Sequence, residues 1–144
     1  MANVIPDSFK TDLLKGVFNF DSSGGSTFKL ALYTDISGLT TSTTAFTTSN
    51  EVSTSGTSYS SGGNTLTNNG VAVSSNIAFV DFADLTFSSV TLSAVGALIY
   101  KSGGSNPAVL VLDFGGTKTA TNGDFVVQFP TASNSAAIIR LGNA

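Results

Sequence analysis

The chain has 144 residues, 41% of them hydrophobic, which is material for one domain with a core of its own. Only 10% are charged, against about 25% in an ordinary soluble protein, so Ser, Thr, Asn and Gly must carry the hydration. The absence of His and Cys excludes Ser-His-Asp and Cys-His catalysis, Cys/His zinc sites and disulfides. A net charge of −3, with six scattered Lys and Arg, leaves no footprint for nucleic acid.

Residues 1–6 read as an extended arm. They lack the basic start and apolar run of a secretory signal, and Pro6 keeps the residue before it out of a helix. A helix is predicted over 7–16, capped by Asp7 or Ser8. Phe9, Leu13 and Val17 recur at spacing four, Leu14 widens the stripe, and Gly16 supplies the stop. So short a helix is unstable alone, and its stripe must dock on the rest of the fold.

After Gly24-Gly25 the period becomes two. In residues 27–33, Phe28, Leu30 and Leu32 face one way and Lys29, Ala31 and Tyr33 the other, which is the pattern of a half-buried strand. Further strands are predicted at Val71 and Val73, over 77–82, at Phe125, Val127 and Phe129, and over 137–141. Residues 90–100 and 108–114 are apolar on both faces and suit central strands covered on each side. Turn chemistry falls at Asn68-Asn69-Gly70, Ser102-Gly103-Gly104, Gly115-Gly116 and Asn122-Gly123-Asp124. The expected architecture is mainly β: an antiparallel β-sandwich or barrel over 27–141 with one short N-terminal α-helix. The apolar run 90–100 is about half the ~20 residues of a membrane-spanning helix, so no membrane partner is expected.

The segment 40–61 stands apart, with fifteen Ser or Thr among its 22 residues. It reads as a long surface loop with a short strand near Glu51-Val52. The alternative, a domain linker, would leave too little chain on its N-terminal side for a core.

Chemical motifs are few. Ser26-Thr27-Phe28-Lys29 matches the S-x-x-K pattern, in which the Lys lies one helical turn from a nucleophilic Ser. Here it runs into a period-two strand, Ser-Asp-Asn is missing, and Lys118-Thr119 is followed by Ala120 rather than Gly. The pattern is taken as coincidence. Asp81 and Asp84 are three apart and diverge on a regular strand, so they do not form a glycosidase pair. Asp21, Asp35, Asp113 and Asp124 border turns, where the carboxylate commonly takes a backbone N–H. There is no Gly-Lys phosphate cradle and no EF-hand spacing, so no cofactor or metal is expected. Apart from Phe46, the Phe residues fall on core-facing positions of strands or of the helix stripe. Tyr59, between Ser58 and Ser60, is the exception and reads as an exposed contact residue.

The order of these blocks resembles a family of small virion structural proteins of tailed bacteriophages. The likeness runs from Asn3-Val4-Ile5, Ser8-Phe9-Lys10 and Leu13-Leu14-Lys15-Gly16 through 27–33 to Asn50-Glu51-Val52, Tyr59 and Gly62-Gly63. It continues in 80–84, 96–100, 111–115, Asn122-Gly123-Asp124-Phe125 and Phe129-Pro130, and so spans nearly the whole chain. The resemblance implies a non-enzymatic capsid decoration (cement) protein on the virion surface. We expect a homotrimer bound to the major capsid protein, with Ala2, Asn3, Val4, Ile5 and Pro6 as a clamp and Tyr59 as a second contact. The alternative for the arm is that it folds back on its own domain. Competing readings are a tail, fibre or neck component that binds a host receptor, and a carbohydrate-binding sandwich. The lack of Trp counts against the latter.

Overall fold

In the computed structural model, which describes residues 3–143, the chain enters its first element through Pro6, whose φ of −60° and ψ of 148° turn the extended arm into α1 (Asp7–Leu14). No side chain caps this helix. Asp7 is its first residue and pairs with Lys10 at 2.8 Å, and the Ser8 hydroxyl donates to the Thr43 carbonyl at 3.0 Å instead. The helix ends two residues short of the expected Gly16, because the glycine is the stop and not part of the helix. With φ +76°, Gly16 donates its N–H to Leu13 O at 3.2 Å, and Val17 donates to Asp12 O at 3.0 Å. Leu14 lies outside the stripe and is 90% exposed. Phe9 docks the helix on a ladder of rings, with centroids 4.9 Å apart at Phe9–Phe18, 6.1 Å at Phe18–Phe20 and 4.6 Å at Phe20–Phe28.

Seven strands follow among the described residues: β1 (Phe28–Tyr33), β2 (Asn64–Thr65), β3 (Asn68–Ser74), β4 (Ile77–Phe82), β5 (Leu85–Lys101), β6 (Ala108–Val127) and β7 (Ile139–Leu141). They form two antiparallel sheets, ordered β2-β1-β5-β6 and β3-β4-β7. The protein is thus mainly β and sandwich-like, with one short helix. Its accessible surface of 7204 Å² sits close to the roughly 6,900 Å² expected for its mass.

Glycine signals mark bends within strands as well as turns between them. Gly115-Gly116 and Asn122-Gly123, expected as turns, lie inside β6, which is one long strand where two were predicted. Gly115, Gly116 and Asn122 take positive φ, and the pairing with β5 steps from Ala94–Lys118 to Gly96–Asp113 across the glycines. Likewise Asn69-Gly70 is a bulge in β3. The hairpin turn between β3 and β4 is Ser75-Asn76, with φ 51° and 64°, a two-residue type I′ geometry built without glycine.

The main sheet is covered twice, so β1, expected to be half-buried, is buried on both faces. One face packs Leu30, Leu32 and Ile99 against Phe82, Val80 and Ile139 of the second sheet. The other face carries Ala31, Tyr33, Leu98 and Val111, sealed by Ile36, Leu39 and Phe46 from the loop that follows β1. Phe46 stacks on Tyr100 with centroids 4.7 Å apart. The Ser/Thr-rich segment is therefore a surface loop that closes a core, with isolated strand bridges at Tyr33–Glu51 and Ala45–Pro107. No helix among the described residues is long and apolar enough to cross a membrane.

Candidate functional site

The arm is zipped onto its own domain. Val4 donates to the Val111 carbonyl at 2.9 Å and accepts from the Val111 N–H at 2.8 Å, while Asn3 Oδ1 accepts from the Asp113 N–H at 2.8 Å. These bonds lay the arm along the free edge of β6, and Pro6 is fully buried behind it. As placed, Asn3, Val4, Ile5 and Pro6 do not project as a clamp, and Ala2 lies outside the described residues. The physical reason is the open edge: unpaired β6 backbone takes the nearest extended segment. Ile5 remains partly exposed at one wall of a groove of about 710 Å³ between the arm, β6 and residues 128–138. Phe114, Phe125 and Phe129 line it together with Lys118.

Carboxylates around this groove serve the backbone. Asp113 accepts from Gly115 N–H at 2.8 Å, which holds its carboxyl below the usual range. Asp124 accepts from Ser89 N–H at 3.2 Å and Asp84 from Phe129 N–H at 2.8 Å. Asp81 differs. Its side chain is 1% exposed, one oxygen accepts the Phe82 N–H at 2.9 Å, and the other has no hydrogen-bond partner among the described residues. Burial pushes this carboxyl up, and Asp84 adds to the effect. The two carboxylates interact because β4 ends at Phe82, so the alternation expected to separate them stops between them.

Tyr59 is buried, at 3% exposure, where an exposed contact residue was expected. Its hydroxyl accepts from Leu32 N–H at 3.0 Å and donates to Glu51 Oε1 at 2.7 Å. Flanking serines made the residue look solvent-facing, but the tertiary partner lies on β1. Glu51 also accepts from Gly62 N–H at 2.6 Å and Ser61 Oγ at 2.8 Å. Tyr33 donates to Thr47 O at 2.6 Å and Tyr100 to Gly62 O at 2.7 Å, so all three tyrosines of the chain tether the Ser/Thr-rich region. Burial raises the pKa of each, and the Glu51 charge raises it further. Ser26 of the S-x-x-K string likewise closes a loop: its hydroxyl accepts the Asn19 N–H at 3.0 Å, and Lys29 lies on β1.

What the sequence did not reveal is an open apolar surface on the second sheet. Cross-strand pairs Val71–Val80, Val73–Ala78, Ala78–Leu141 and Val80–Ile139 put these side chains on one face. Its inner end packs on the core. At the outer end Val71, Val73 and Leu141 are 55%, 70% and 56% exposed, beside a groove of about 280 Å³ that Leu13 and Phe20 close from the body. β3 is an edge strand and carries no charged residue.

Comparison of the chain with protein-family models, with curated proteins and with solved structures finds no match.

Proposed function

We propose that this chain is a non-enzymatic structural protein of a bacteriophage virion, of the capsid decoration type, which acts as a homotrimer bridging subunits of the major capsid protein. The observation that supports this reading is the open apolar surface of the second sheet, on a molecule whose charged fraction is only 10%. A surface of Ser, Thr, Gly and Ala loses little rotamer entropy when immobilised, and sparse charge limits repulsion between many identical neighbours. The order of residue blocks along the chain, which resembles the virion family, supplies the class of assembly. The contact surface in this reading is the exposed row Val71, Val73 and Leu141 and not the arm, whose backbone is already paired. Binding only to the assembled shell stabilises it by mass action.

Cryo-electron microscopy of the particle that carries the chain tests the proposal. Density at three-fold positions on the shell, with the second sheet against capsid subunits, is the expected result. Density confined to the tail would replace the reading with a tail, fibre or neck component. Absence of the chain from purified particles would overturn both.

A further inference from the structure

We propose that the free edge of β3 pairs antiparallel with β3 of a second copy, about a two-fold axis midway between the two copies of Ala72. The Ser75-Asn76 turn fixes which backbone groups are free. In a two-residue hairpin the flanking residues, here Ser74 and Ile77, exchange both hydrogen bonds, and bonded pairs then alternate along the ladder. Ser74 and Ala72 therefore point their N–H and C=O groups at β4. Val71 and Val73 point theirs outward, at an edge to which no described strand is paired.

The sequence around that edge is symmetric, Val71-Ala72-Val73, as a self-complementary contact requires. Centred on Ala72, the pairing sets Val71 opposite Val73 of the partner copy, and the reverse, so the outward groups of all four valines meet as bonded pairs. Directly opposed side chains share a face. The exposed valines of the two copies then form one row, which joins the two apolar surfaces into a six-stranded sheet. β3 has no charged residue and no Pro to guard the edge, so two copies oppose no like charges. Ser74 would face Gly70 of the other copy, so the bulge at Asn69-Gly70 limits the contact to 71–73. Such a strip is well short of the roughly 1,200 Å² of a stable interface, so the pairing is weak in dilute solution and strengthens where copies are concentrated. It is independent of the virion reading, since a two-fold contact joins monomers or trimers alike.

The chain lacks Cys, so single cysteines report the contact cleanly. Ala72 opposes its own symmetry mate as a non-bonded pair, with Cα atoms about 4.5 Å apart, inside the range for a disulfide. The two copies of Ser74 are offset by about 14 Å along the strands. Under mild oxidation, Ala72→Cys is expected to cross-link at least about tenfold faster than Ser74→Cys, since only the first pair meets disulfide geometry. Adding Val73→Lys to Ala72→Cys should remove that advantage, with an unchanged far-UV circular dichroism spectrum. Val71→Lys takes its place if Val73→Lys does not fold. Equal rates at positions 72 and 74, or a rate at 72 that Lys leaves unchanged, would overturn the proposal.

Discussion

In the four-stranded sheet, Leu30, Leu98, Ile99 and Val111 are inaccessible from either face, whereas in the three-stranded sheet Val71, Val73 and Leu141 keep more than half of their surface in water. The same kinds of side chain build both. What differs is cover: the main sheet has the second sheet and α1 on one face, the loop after β1 on the other, and the arm along the β6 edge. A chain this poor in Lys and Glu has few charges with which to guard an edge. It protects one sheet with its own polar loop and its own arm, and leaves the outer end of the other open to water.

The largest effect should come from removing a ring where the two layers meet. Phe28 is 1% exposed and lies between Phe20 and Phe82, so Phe28→Ala should cost about 3–5 kcal/mol in chemical denaturation. A loss below about 1 kcal/mol would mean that the ring ladder is not what joins the layers. Next comes the loop that seals the other face. Glu51→Ala leaves the Tyr59 hydroxyl and the Gly62 N–H without their acceptor, at about 1–3 kcal/mol. Hydrogen exchange should then rise across residues 40–61 before it rises in β5. Equal acceleration in both would show that the loop and the sheet open as one unit.

How far the sequence disclosed this division depends on which interactions were local. The helix stop at Gly16, the alternation of 27–33 and the runs of 77–82 and 90–100 report short-range geometry, and each lies in the element expected. Gly115-Gly116 misled because a doublet that permits a turn also permits a bend in a continuous strand, and only the partner strand decides between them. Tyr59 misled for the same reason at longer range, since its partners are Leu32 and Glu51 rather than its flanking serines. The open surface was the least legible. Val71 and Val73 alternate like any half-buried strand, and nothing within β3 records that the layer beneath them ends short.

A charge held inside the second sheet gives a pH-dependent test. The pKa of Asp81 is raised by burial, so between about 3.9, its unfolded value, and its folded value the native state binds the extra proton. Stability from this group therefore falls as pH rises through that window and gains on acidification. Asp81→Asn keeps an acceptor for the Phe82 N–H and removes the ionisation. The variant's melting temperature, relative to the parent, should be highest at pH 7 and decline towards pH 4. A difference that does not change with pH would show that the carboxyl is not strained by its surroundings.

The smallest expected effect is the sharpest test of the comparison, because it uses one substitution in both sheets. Val73→Thr keeps the β-branch that suits a strand and places its hydroxyl where the valine already met water. Little apolar area returns to solvent, and the monomer's stability should move by no more than about 0.5 kcal/mol. Val111→Thr makes the same exchange at a side chain with no accessible surface, between the arm and the loop residues Ile36 and Leu39. There the hydroxyl must be desolvated, and its backbone neighbours are already committed to Val4, so about 1–3 kcal/mol should be lost. Both variants can be melted under one set of conditions at low protein concentration, where contacts between copies contribute least. If the two shifts prove equal, exposure does not separate the sheets, and the surface of Val71, Val73 and Leu141 is closed by the molecule itself.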